Sequence, residues 1–233
     1  MKQLAEAGYA VIPEFIRPAE VDDITRCIDG MLAVGAGTRR LIDAPWCDAL
    51  AQRLACDDRL RDELPAEATA VQCTLFVKSI EKNWLVSLHQ DFSIPVAERI
   101  SNPECSGWSE KEGQVFVQPP ISVLQDMLAV RIHLGACDER NGALRVVPGS
   151  HRLGRLTSDE ALRIGGERGE TSIAVPSGGG MLMRPLLLHA SSKASVDRPR
   201  RVLHFVYGPG VLPSGLRWPP SWRTLTSQQG RHR

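Results

Sequence analysis

The stretch "AVQCTLFVKS" (Ala70–Ser79) sets Gln72, Thr74, Phe76 and Lys78 on one face and Val71, Cys73, Leu75 and Val77 on the other. A repeat of two residues marks an extended strand, because successive side chains point to opposite sides. The chain keeps this character downstream. The runs "MLAVRIHL", "ALRVV", "TSIAV", "GMLMR" and "RVLHFVY" are short and β-rich. Turn signals at Asn141-Gly142, Pro148-Gly149 and Ser177-Gly178-Gly179-Gly180 separate them. Many short strands between Gly and Pro turns predict a sandwich or barrel and argue against alternating strand–helix units.

Upstream, the pattern is helical. In "RPAEVDDITRCIDGML" the residues Val21, Ile24, Ile28, Met31 and Leu32 recur at helical spacing, and "PWCDALAQRL" is a second amphipathic stretch with Pro45 suited to its first turn. "GYAVI" reads as one short strand. The expected fold is mainly β with flanking helices: a double-stranded β-helix (jelly roll or cupin-like barrel) behind an N-terminal helical layer. Residues 1–233 read as a single domain, with 1–68 mainly helical, 69–210 the jelly-roll core and 211–233 a C-terminal tail containing "RWPPSW". Residues 97–120 show no clear periodicity and read as a long loop, a lid or surface decoration.

Composition excludes several classes. With 28 basic against 27 acidic residues the net charge is +1, which gives no footprint for nucleic acid. No apolar run reaches the length of a membrane span, and the N-terminus lacks the apolar core of a secretory signal. The six cysteines (Cys27, Cys47, Cys56, Cys73, Cys105, Cys137) contain no CxxC pair, so reduced thiols in a cytoplasmic protein are expected. Oligomeric state is open.

Chemistry enters at "NWLVSLHQDFSIPV" (Asn83–Val96). In an extended segment His89 and Asp91 point to the same side, so an imidazole and a carboxylate can converge on one ion. Alone, His89-x-Asp91 is also a polar turn closing a strand. A third donor, His189, ends the apolar run "GGGMLMRPLLLH". Two histidines and one carboxylate form the facial triad of non-heme Fe(II) oxygenases, which leaves open positions for other ligands. Arg200, eleven residues beyond His189, opens the next strand, where a guanidinium can pair bidentately with a carboxylate, and Ser191 can add a hydroxyl. Arg198 and Arg201 are rivals for that place, and a solvated basic loop is the plain alternative for all three.

The blocks "FVKSIEKNWLVSLHQD", "GWSEKEGQVFVQPP", "MLAVRIHL", "NGALRVVPGSHRLGRL" and "RPLLLHASS…RPRRVLHF", in this order, resemble the phytanoyl-CoA dioxygenase family of Fe(II)/2-oxoglutarate-dependent oxygenases over roughly Tyr9 to Tyr207. The resemblance implies that His89, Asp91 and His189 bind Fe(II) as the catalytic metal ligands. It also implies that Arg200 binds the far carboxylate of 2-oxoglutarate with help from Ser191. Thr74 and Arg131 match positions where family members contact this co-substrate, although the Arg131 position can carry an aromatic residue in the family. The implied reaction consumes O₂ and 2-oxoglutarate, releases succinate and CO₂, and oxidises an aliphatic C–H of a small organic substrate, most often by hydroxylation. Asp91 argues against halogenation, since halogenating relatives replace that carboxylate with a small residue. The chain is shorter than the fatty-acyl-CoA members, which argues against a bulky CoA ester.

Two other classes compete. One is a non-catalytic jelly-roll binding module; the other is a cupin-like metalloenzyme that does not use 2-oxoglutarate. Intact His89, Asp91, His189 and Arg200 argue against the first, and Arg200 and Ser191 discriminate against the second, which has no need of a carboxylate clamp. Lys78 and Arg40 lie in the family-like blocks and could also face the pocket, with a surface position as their default. His133 shares a strand face with Arg131, His151 caps a turn or lines the site, and His204 reads as structural. Trp84 and Trp108 wall the site or merely pack.

Overall fold

The computed structural model describes residues 1–31, Arg39 and 41–220. Leu32, Arg40, the side chain of Met31 and the end of "RWPPSW" therefore lie outside the described residues. The chain divides into two compact units: Met1–Thr38, Leu75–Asp91 and Val130–His204 form one, and Arg39–Thr74, Phe92–Ala129 and Phe205–Arg233 the other.

Residues 1–68 are mainly helical, as their periodicity predicts. Helix α1 (Lys2–Ala7) ends at Gly8, whose left-handed φ of 84° suits a residue without a Cβ. Strand β1 (Tyr9–Ile12) and helix α2 (Pro18–Met31) follow, and α2 buries Val21, Ile24 and Ile28. Helices α3 (Pro45–Ala55, with Pro45 in its first turn) and α4 (Asp58–Arg61) complete the region. The β-rich part then runs β2 (Thr69–Lys78), β3 (Val86–His89), β4 (Ile94–Val96), β5 (Ser106–Lys111), β6 (Gln114–Gln118), α5 (Ile121–Asp126), β7 (Leu128–His133) and β8 (Leu144–Val146). Helix α6 (Ser158–Arg168) and strands β9 (Thr171–Ser172), β10 (Gly180–Met183), β11 (His189–Ser191) and β12 (Arg200–Gly208) finish it.

In the first unit, one sheet has the order β1-β10-β7-β12-β2; the unit holds β1 and β10 whole and the 130–133, 200–204 and 75–78 parts of the other strands. The other sheet is β3-β11-β8-β9. The chain crosses from one sheet to the other at β2–β3, β7–β8, β9–β10, β10–β11 and β11–β12. That alternation is the winding of a double-stranded β-helix, and it sets β3 beside β11 although a hundred residues separate them.

Helix α6 backs the second sheet. Leu88 and Leu188, each one residue before a site histidine, pack with Val147, Ala161 and Ile164 on the face away from the imidazoles. The sequence reading misses this helix, yet its signal is present: Thr157 and Glu160 form a reciprocal capping box. Replacing Thr157 with Ala should cost about 1 kcal/mol, read as a lowered midpoint in urea unfolding with an unchanged slope.

Three expectations need correction. Both faces of β2 are largely buried, and the face carrying Phe76 and Lys78 turns inward, so its polar residues line an interior and do not face solvent. His189 opens β11 and does not close a strand, because 184–188 form a turn in which Leu187 N–H donates to Arg184 O at 3.0 Å. Within residues 97–120, β5 and β6 form a hairpin, paired with β4 in the order β4-β6-β5 in the second unit. Its turn residues Glu112 and Gly113 have φ of 53° and 72°, the left-handed pair of a tight hairpin, so Glu-Gly was the overlooked turn signal.

The second unit also buries Tyr207, whose hydroxyl donates to Ala51 O at 2.9 Å. All six cysteines are free thiols. Among the described residues no helix is long and apolar enough to cross a membrane.

Candidate metal and anion site

Antiparallel pairing of β3 with β11 places His89 directly opposite His189. Their rings lie 4.2 Å apart between centroids. Each Nδ1 meets the carbonyl two residues back: His89 with Ser87 O at 2.8 Å, His189 with Leu187 O at 2.9 Å. A carbonyl only accepts, so each Nδ1 carries a proton, which leaves Nε2 as the nitrogen that the neutral ring offers to a metal. Both Nε2 atoms approach Asp91: His89 Nε2 is 3.8 Å from Oδ1 and His189 Nε2 is 3.7 Å from Oδ2. One donor atom from each of the three residues lies within 4.8 Å of the others. Donors that share one ion at about 2 Å sit about 3–4 Å apart, so modest closure brings all three onto one metal.

Electrostatics suits the same use. Burial lowers the His189 pKa to about 4 against the pull of Asp91, so the ring is neutral near pH 7. Burial pushes the Asp91 carboxyl upward, but His189, His204, His89 and Arg131 outweigh it and hold the pKa below its ordinary value. The site is open on one side: the side chains of His89 and Asp91 are 40% and 42% exposed, that of His189 only 6%.

Gln90, between the two ligands, is the residue that sequence reasoning passes over. It points away and is buried, donating from Nε2 to Gly154 O (2.9 Å) and Leu186 O (2.7 Å) and accepting from Leu156 N–H (2.9 Å). The Asp91 N–H donates to Pro185 O at 2.9 Å. The His-x-Asp segment is thereby tied to the turn before β11 and to the chain before α6. Nothing in the pattern His-Gln-Asp announces this, because the partners are backbone groups remote in sequence.

The interior beside the triad is cationic. Lys78 is wholly buried, and its Nζ donates to Ser191 Oγ and to Ser192 O, both at 2.7 Å, and stands 5.1 Å from the Trp84 ring centroid. Ser191 Oγ donates in turn to Gly142 O at 3.0 Å, and buried Arg200 donates to the same carbonyl. Burial, then the Arg200 charge, lowers the Lys78 pKa to about 8. The surface default for Lys78 thus fails. The rival arginines separate cleanly: Arg198 pairs with Asp138 at 2.6 Å and Arg201 with Asp29 at 2.7 Å, and only Arg200 faces inward.

Gly142 sits at the hub of this cluster. Its φ is +81°, and a Cβ there would lie 2.8 Å from both Lys78 Cδ and Ser192 O. Gly142→Ala should destabilise the fold by about 1–2 kcal/mol through the left-handed backbone and displace the lysine. An anion-binding assay on the folded variant checks the second effect.

The other candidates scatter. Arg131 and His204 lie in the same interior, with Arg131 Nη1 donating to His204 Nδ1 at 2.9 Å, so His204 is more than a packing residue. His133 is buried with neither ring nitrogen partnered. His151 packs against the end of α1: a Cβ on Gly8 would lie 2.4 Å from its Nδ1. Thr74 belongs to the second unit, where Gln72 donates to its hydroxyl at 2.8 Å. Trp108 is also there, 5.6 Å beneath the Arg99 guanidinium.

Two facing sheets with a His-x-Asp…His cluster at adjoining strands define a jelly-roll protein of the metal-binding kind. The model of the phytanoyl-CoA dioxygenase (PhyH) family matches residues 4–202, and the chain belongs to that family. Among solved structures it is similar to the non-heme alpha ketoglutarate dependent carbocyclase SnoK from nogalamycin biosynthesis (TM-score 0.65, 16% identity, 89% of this chain and 82% of that one). It is also similar to EctD from S. alaskensis in its apoform (0.65, 20%, 89% and 75%). A third is HygX from Streptomyces hygroscopicus with iron bound (0.62, 19%, 91% and 87%). At these identities the likeness is one of fold. No curated protein matches the chain by sequence.

Proposed function

We propose that the protein is an Fe(II)- and 2-oxoglutarate-dependent oxygenase, with residues 1–233 acting as one oxygenase domain, that hydroxylates an aliphatic C–H of a small organic substrate. The observation that carries this reading is the convergence of His89 Nε2, the Asp91 carboxylate and His189 Nε2, with both imidazoles oriented by the protein's own hydrogen bonds. These three would hold iron. The donor inventory beside them fits 2-oxoglutarate: the Nε of Arg200 is buried without a hydrogen-bond partner. Such donors are costly unless a ligand rich in acceptors meets them. Lys78, Ser191 and Arg200, which meet around the Gly142 and Ser192 carbonyls, would take the far carboxylate. Structures of the fold relatives contain these groups: HygX holds nickel and 2-oxoglutarate, and EctD holds 2-oxoglutarate and 5-hydroxyectoine.

Bound iron, 2-oxoglutarate and O₂ supply oxidative decarboxylation to succinate and CO₂ coupled to oxidation of a substrate C–H. The chain's part is to keep His189 neutral and both imidazoles aimed, to hold the far carboxylate with fixed cations and to bury that end away from water. Hydroxylation is the simplest outcome for an intact carboxylate ligand; ring closure and epimerisation, named for SnoK and SnoN, use related chemistry. The free thiols suit a cytoplasmic setting.

The test is an anaerobic titration with Fe(II) and 2-oxoglutarate, watching for the weak visible charge-transfer band of the chelate. A band that requires both additives supports the reading. Folded protein that binds neither would return it to the binding module.

A further inference from the structure

Resting on the co-substrate reading above, we infer that the primary substrate carries an oxyanion and that Arg131 is the specificity residue that pairs with it. Arg131 is only 4% exposed, on the inward face of β7. Its hydrogen-bond partner is the imidazole of His204, an uncharged acceptor, and its guanidinium lies 5.4 Å from the centroid of the Phe76 ring. Its Nε has no partner. The carboxylate whose field it feels is Asp91, while Arg200 nearby repels it.

The charges of the loaded site leave Arg131 unmatched. Asp91 and the near carboxylate of 2-oxoglutarate balance the two charges of Fe(II). The far carboxylate is matched by Lys78 and Arg200, already two cations for one anion. The histidines add no negative charge. A buried guanidinium whose one nearby carboxylate is committed to the metal destabilises the fold, and such a group persists where a ligand supplies its counter-charge. Both carboxylates of the co-substrate are engaged, so the remaining anion belongs to the molecule being oxidised. Guanidinium pairs bidentately with carboxylate and with phosphate alike.

The experiment uses the full chain loaded anaerobically with Fe(II) and 2-oxoglutarate. N-acetyl amino acids, their neutral primary amides and small phosphate monoesters are titrated against the chelate band, in wild type and in Arg131→Gln. Glutamine keeps an N–H for His204 Nδ1 and removes the charge. Expected is a perturbation by oxyanions and not by amides, with carboxylates or phosphates responding to name the source. Arg131→Gln should lose that preference by at least about tenfold in affinity, while its 2-oxoglutarate Kd stays within about twofold of wild type. Arg131→Lys should keep the preference, which separates charge from folding.

Amides acting as well as acids, or no compound perturbing the band at millimolar concentration, overturns the inference. So does a tenfold or larger rise in the 2-oxoglutarate Kd of Arg131→Gln, which would give the guanidinium to the co-substrate. In each of these cases the wild-type band survives, so the oxygenase reading stands. Loss of the wild-type band sinks both.

Discussion

His189→Ala should abolish the Fe(II)–2-oxoglutarate band and succinate formation while the protein remains folded. The imidazole is the most buried of the three candidate ligands and supplies the donor from β11. Removing it leaves one histidine and one carboxylate, too few to fix an ion in three-point geometry. The structural cost is smaller: Leu187 O loses its hydrogen bond, and a small void opens where the ring lay, together about 1–3 kcal/mol. Circular dichroism and a melting curve establish that the fold persists. Retention of a wild-type band by the folded variant would remove His189 from the metal site.

Lys78→Met has the second large effect, with two opposite signs. The wholly buried ammonium has its pKa lowered from 10.5 to about 8, by burial first and then by Arg200. The folded value lies below the unfolded one, so the charged lysine opposes folding throughout pH below about 8. That penalty fades as pH rises from about 8 to 10.5. Its ceiling is about 3 kcal/mol by linkage, reduced by the hydrogen bonds to Ser191 and Ser192 that methionine cannot make. Ligand-free Lys78→Met should therefore melt at or above the wild-type temperature near pH 7 and lose the alkaline rise in stability. Its affinity for 2-oxoglutarate should fall by about a hundredfold, because a desolvated cation facing a carboxylate is worth a few kcal/mol. In wild type the same affinity should decline as pH passes 8 and the ammonium deprotonates. Melting curves from pH 7 to 10 and titrations of both proteins check each arm, and an unchanged affinity in the variant would exclude Lys78 from the clamp.

The ligand set was legible because its parts are local: His89 and Asp91 share a face by strand periodicity, and His189 ends an apolar run. Spacing alone leaves Arg198, Arg200 and Arg201 as rivals; the family resemblance picks Arg200, and the structure adds the reason, since Arg198 and Arg201 pair with Asp138 and Asp29. Lys78 was misjudged for a definable reason. Alternation along β2 separates two faces but does not say which one meets solvent, and here both are covered. Gln90 is illegible as a site residue because its partners are backbone carbonyls and an amide brought in by topology, and Gly142 because it acts through its own carbonyl, which meets the distant Ser191 and Arg200 side chains. The Glu112-Gly113 hairpin and the Thr157 capping box were legible and overlooked, each a short polar signal inside a stretch read as featureless.

The tethers on His89, Gln90 and His189 run entirely to main-chain oxygens and amides of the protein. A donor triangle braced in this way does not need its ion as a folding nucleus. Chelation should then silence the enzyme and leave it able to recover, with loading governed by the free iron around it and no refolding required. The activity of such a protein would track the supply of ferrous iron from moment to moment, as a gauge follows pressure.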